Sequence, residues 1–189
     1  MKKLSYMMPK DRLRNIAEGI FFSILAYGLQ VYGGVWGLDS HSLVNGRSKA
    51  FTKEDNRQLQ VIMNKVLRAL TGLDKEIPVN ILLKQTGHLS VQQLTAYHTL
   101  TTMYKTMHNK EPVYLNSMID QNRAMLDKTR LQSAFHPRYN LSTSRQSFID
   151  RGQKLYNLLP ASISTSRDIH SFKRSVKTWI KLNIPALPP

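Results

Sequence analysis

Apolar residues recur at steps of three and four along much of the chain, the spacing of helices buried on one side. Leu13, Ile16, Ile20, Ile24, Tyr27 and Val31 form the first such stripe. Pro9 and Asp11 suit a helix start and Gly33-Gly34 a stop, so the pattern predicts a helix from about Lys10 to Tyr32. Phe22, Leu25, Ala26 and Leu29 cover much of its other side, which predicts a central helix with partners on several faces. Thr52 is a good N-cap for a second helix, with Glu54 and Asp55 in its first turn and Gly72 or Asp74 at its end. Leu59, Ile62, Val66, Ala69 or Leu70, and Leu73 form its apolar stripe. Pro78 and Gly87 bracket a short helix, and Ser90 with Gln93 gives a capping box for a longer one ending near Asn109. On that longer helix Val91, Leu94, Tyr97, Leu100 or Thr101, and Tyr104 share a face. Glu111-Pro112 opens a further short element, to about Ile119.

From Asp120 to Arg145 the periodicity fails, and the segment reads as a basic, irregular connector. Residues 146–159 fit either a helix or a strand with a turn. A last helix is expected near 166–182, capped by Ser166, with Ile169, Phe172, Val176, Trp179 and Ile180 on one side and Lys173, Arg174, Lys177 and Lys181 on the other. The expected fold is therefore all-α: a helical bundle over 1–119, the connector over 120–145, and a C-terminal extension over 146–189. The apolar members of the loop after the first helix, Val35, Trp36, Leu38, Leu43 and Val44, are expected to fold back on the core.

Gly19 to Leu38 carries no charge, and its length permits a membrane span. Gly28, Gly33, Gly34, Gly37, Gln30, Ser23, Tyr27 and Tyr32 inside it argue for a core helix instead. A membrane-associated basic protein anchored by residues 19–32 is the alternative. The 189 residues contain no cysteine, which rules out disulfide and thiolate chemistry and fits a soluble, intracellular protein, nuclear or cytoplasmic.

Charge changes the picture most. Lys and Arg number 27 against 12 Asp and Glu, a net +15. Residues 1–120 hold net +6 and residues 121–189 net +9. Such a balance attracts polyanions, nucleic acid before anionic membrane. The candidate phosphate contacts are Arg57, Lys65 and Arg68 on the second helix, and Arg130, Arg138, Arg145, Arg151 and Lys154 further on. Phe135, Tyr139, Phe148 and Tyr156 are interleaved with the second set; base stacking is one use for them, and core packing is preferred for Phe148 and Tyr156.

Candidate chemistry is sparse. The six histidines, at 41, 88, 98, 108, 136 and 170, offer no metal-binding spacing. The one adjacent acidic pair, Glu54-Asp55, is explained by its place at a helix start. No catalytic residue, metal, cofactor or small-molecule substrate is expected. Pro78–Lys105 has the outline of a helix-turn-helix, but no Lys or Arg lies between 88 and 104, so plain helix packing is preferred.

Four ordered stretches resemble a known family. They are Leu13–Ser23 with Tyr27-Gly28-Leu29 and Val35-Trp36-Gly37; Leu59–Leu73; Leu82–Leu94 with Tyr97 and Tyr104-Lys105; and Phe148, Arg151-Gly152, Leu155–Pro160 and Phe172-Lys173. Together they are similar to the region that follows the catalytic palm in reverse transcriptases of LINE-type, jockey-like retrotransposons. The resemblance spans roughly residues 2–184. It implies a helical thumb plus a C-terminal extension, and a role in gripping template–primer RNA or DNA. The upstream polymerase domain is then a further expected partner. The family's paired catalytic Asp residues have no counterpart here, and Tyr156 stands where the family often has Trp.

Overall fold

The computed structural model describes residues 8–33, 35, 52–109, 111–117, 119 and 148–186. Every regular element among them is helical: Lys10–Ile16 (α1), a π-helical segment Ala17–Phe22, Ser23–Tyr32 (α2), Lys53–Thr71 (α3), Val79–Thr86 (α4), Val91–Asn109 (α5), Phe148–Asn157 (α6), Ala161–Ser164 (α7) and Ile169–Asn183 (α8). Residues 113–117 add a helical turn after Pro112. The protein is all-α, as its periodicity predicts.

The helix over 10–32 forms, but its buried face differs from the expected stripe. Leu13, Ala17, Phe22, Leu25 and Leu29 point inward, with one step of five residues across the π-helical segment. A π turn inserts an extra residue and rotates the helix beyond it. The Ser23 hydroxyl donates to the Gly19 carbonyl at 2.6 Å and the Ile20 carbonyl at 3.1 Å, within this loosened turn. Ile20, Ile24 and Tyr27 consequently stand 60%, 68% and 76% exposed. This helix is therefore peripheral. Among the described residues no helix is long and apolar enough to cross a membrane.

The central helix is α5. Its buried residues, among them Gln92, Gln93, Thr95, Ala96, Thr99, Leu100, Met103 and Tyr104, cover nearly its whole circumference. It packs against α2, α3, α6 and α8. Val91 joins a core formed by the first helix, α3 and α4. Ala96, Leu100, Met103 and Tyr104 join a second core with α6, α8 and Val35. Within the expected C-terminal extension, α6 and α8 thus close directly onto α5. Trp36, Leu38, Leu43 and Val44 lie outside the described residues.

Polar groups fasten this packing. Gln60 of α3 accepts from the Val91 backbone N–H at 2.7 Å and donates to Asn64 at 2.8 Å, so one side chain caps α5 from a neighbouring helix. Gln93 donates to the Ile184 carbonyl at 2.8 Å, tying the start of α5 to the end of α8. At the other end of α5 the Tyr104 hydroxyl donates to the Ser166 carbonyl at 2.6 Å, and its ring stacks on Phe172 at 4.1 Å. The two helices are therefore antiparallel. Tyr156 is buried beside the same ring, and burial pushes its hydroxyl up to about 12.

The expected caps at Thr52, Gly72, Gly87 and Ser90–Gln93 are present, with both glycines at φ above 70°. Residues 148–157 resolve as helix. The start of α8 differs from expectation: Asp168, not Ser166, caps it, accepting from the His170 and Ser171 N–H groups at 2.9 Å each. A carboxylate two and three residues before those donors competes better than the upstream hydroxyl. Thr52 and Asp55 form a reciprocal capping box on α3. We expect Thr52→Ala to lower the unfolding free energy by about 1 kcal/mol in urea titration; an unchanged midpoint would show that this cap contributes nothing.

Candidate nucleic-acid interface

The sequence-predicted cations fall into three groups. Arg57, Val61, Lys65 and Arg68 follow one row of α3, at steps of four, four and three. Arg57 lies 3.9 Å from Glu54, both well exposed, an ion pair of little strength. Lys65 is exposed. Arg68 turns inward at its end: its Nη2 donates to the Ile77 carbonyl at 2.9 Å and holds the loop between α3 and α4. Lys65, Arg68 and Lys75 line an open groove of about 1090 Å³, whose rim also carries Asp74 and Glu76. Its charge is mixed.

Arg130, Arg138 and Arg145 lie outside the described residues, as do Phe135 and Tyr139. Lys154 sits half-buried in the last turn of α6.

Arg151 does not fit the role of a phosphate contact. It is 4% exposed, and its guanidinium donates to the Gly33 and Gln30 carbonyls, the latter at 2.7 Å. It caps the C-terminus of α2, where a helix leaves its last carbonyls unsatisfied and carries partial negative charge. Burial lowers its pKa to about 10, so it remains charged at neutral pH. Gly33 is required at this junction. A Cβ there would stand 2.5 Å from the Leu29 carbonyl and 2.6 Å from the Thr95 hydroxyl.

Among the described residues the most uniform basic surface is on α8. Phe172, Val176 and Ile180 anchor the helix, while Lys173, Arg174, Lys177 and Lys181 emerge on its other sides. No carboxylate lies between Ile169 and Asn183 in the sequence, and the one just before them, Asp168, is engaged in the cap. These four cations were legible as the polar side of an amphipathic helix. The further signal was the absence of any acid among them, where a merely solvated helix face mixes both signs.

Two histidines lie beside this helix. His98 of α5 is half-buried; burial first and Lys173 second hold its imidazole below the ordinary value. His88, in the link from α4 to α5, stacks flat on Phe22 with ring centres 4.6 Å apart. Its Nε2 is 3.5 Å from Glu18. Burial lowers its pKa, Glu18 opposes that, and Arg14 and Lys177 add to it.

Gln92 and Gln93, the residues that a helix-turn-helix would present to bases, are 1% and 7% exposed. The link α4–Gly87–α5 is therefore a packing turn, and α5 does not project into a groove. Among the described residues no three His, Asp or Glu side chains converge on a metal position. Comparison with known protein families, with curated proteins and with solved structures finds no match.

Proposed function

We propose that the chain is a non-catalytic nucleic-acid-binding module that holds a duplex by its phosphates, in the manner that its resemblance to a reverse-transcriptase thumb implies. The observation that carries this reading is the α8 face: four cations within nine residues and no acid among them. Arg57 and Lys65 on α3 supply a second, weaker basic row. The central helix is consumed by packing, so recognition rests on backbone charge and not on base edges. The upstream polymerase domain remains the proposed partner in an intact enzyme. A second reading is adsorption to an anionic membrane surface, favoured by the exposed Ile20, Ile24 and Tyr27 near Arg12 and Arg14.

Fluorescence anisotropy with short duplexes of unrelated sequence tests the proposal. We expect equal affinities within about threefold and a slope of log K against log salt near −4 to −5, from roughly five phosphate contacts. Strong sequence preference, or no binding at low salt together with binding to anionic vesicles, contradicts it.

A further inference from the structure

The outer face of the first helix is apolar, uncharged and open. Ile20, Ile24 and Tyr27 stand 60%, 68% and 76% exposed, and Tyr32 51%. Ile20, Ile24, Gly28 and Tyr32 follow one row at steps of four, and Tyr27 flanks it, three residues beyond Ile24. The π-helical segment Ala17–Phe22 shifts the register that turns this row outward, and such segments recur at functional sites. Gly28 is a second, independent observation. A glycine inside a helix weakens it relative to alanine. Crowding within the chain does not explain its presence, since a Cβ at Gly28 would meet nothing within 4 Å. The row therefore carries a notch, with an apolar side chain four residues to either side.

We propose that this face is a homodimer interface, in which the first helices of two copies cross and Ile24 of each copy packs over Gly28 of the other. The surface contains its own complement. Knob and notch lie on one row, so a two-fold axis between them satisfies both copies at once. Ridges of residues four apart on one helix pack into the grooves of a second helix in this manner. Charge points to the same occupant. Each chain carries net +15, and two such copies meet with least repulsion where charge is absent, as it is from Gly19 to Leu38. The area suits a weak dimer. The four exposed side chains present roughly 500 Å² per copy, about 1,000 Å² for the pair, near the lower bound for a specific interface. The inference stands apart from the nucleic-acid reading and requires no ligand.

Sedimentation equilibrium of the nucleic-acid-free protein, from about 2 to about 500 µM, tests it. We expect the mass to rise from 21.7 kDa toward twice that value, with a dissociation constant on the order of 10 to 100 µM. Added salt should tighten the dimer by screening mutual repulsion, whereas it weakens duplex binding. Ile24→Glu, on an exposed side chain, should leave the protein monomeric throughout. Gly28→Ala should weaken association about tenfold or more by filling the notch. At dilutions where only monomer is present, the melting temperature of Gly28→Ala should equal or exceed that of the wild type, because the added methyl meets nothing within the chain. This second variant keeps the test decisive if Ile24→Glu perturbs the fold. A wild type that stays monomeric at every concentration overturns the interface, as does a dimer that survives both substitutions. A monomer that binds anionic vesicles, and loses them on Ile24→Glu, assigns the face to lipid and overturns it too.

Discussion

Arg151→Met should lower the unfolding free energy by about 3 kcal/mol. The arginine makes two charge-assisted bonds to carbonyls at the end of α2, each worth about 1.5 to 3 kcal/mol, against the cost of burying its charge. Methionine keeps much of the volume, removes that cost, and leaves the Gln30 and Gly33 carbonyls without their donor. A lysine cannot reproduce the planar fork, so Arg151→Lys should fall between the two. The pH dependence gives a second check. The folded-state pKa of about 10 lies below the ordinary 12.5, so the burial cost is fully present below pH 10. As pH rises above that value the folded form releases its proton first, and this cost diminishes. Urea unfolding at neutral pH measures the effect through a shifted midpoint at constant slope. A loss under about 1 kcal/mol would contradict the capping role.

The same residue shows where sequence reasoning stops. Arg151 looks like any surface cation, and its fate is decided by a contact 118 residues away. Local chemistry was legible. Thr52, Gly72, Gly87 and the Ser90–Gln93 pair mark helix ends through interactions within a few residues. The identity of the central helix was not. Periodicity favours the apolar run at 19–32, yet Ile20 and Ile24 turn outward because the π segment shifts the register. It undervalues α5 because that helix buries Thr and Gln. Thr95 and Thr106 satisfy their hydroxyls on the carbonyls of Val91 and Thr102, and Gln93 reaches the Ile184 carbonyl. A hydrophobic pattern counts such residues as polar, although their internal bonds make burial tolerable. Of the candidate interface, Arg57 and Lys65 are exposed, and the orientation of α8 was legible too, with Phe172, Val176 and Ile180 on its buried side and its four cations on the other.

Replacing Lys173, Arg174, Lys177 and Lys181 together by Gln should have the largest effect on binding. Each phosphate contact contributes about −0.9 to the salt slope on B-form DNA, so losing four flattens it by about 3 to 4. The fold should survive, because none of the four belongs to the stripe of Phe172, Val176 and Ile180. Gln also keeps most of the stem of the half-buried Lys173. Arg57→Gln with Lys65→Gln removes the weaker α3 row and should flatten the slope by less than about 2. The most direct test of phosphate gripping by α8 is therefore the salt dependence of duplex affinity for the wild type, the α8 quadruple variant and the α3 double variant. The expected wild-type slope is near −4 to −5, falling to about −1 when the α8 cations are removed. A quadruple variant that keeps the wild-type slope, or loses no more than the α3 pair does, would contradict it.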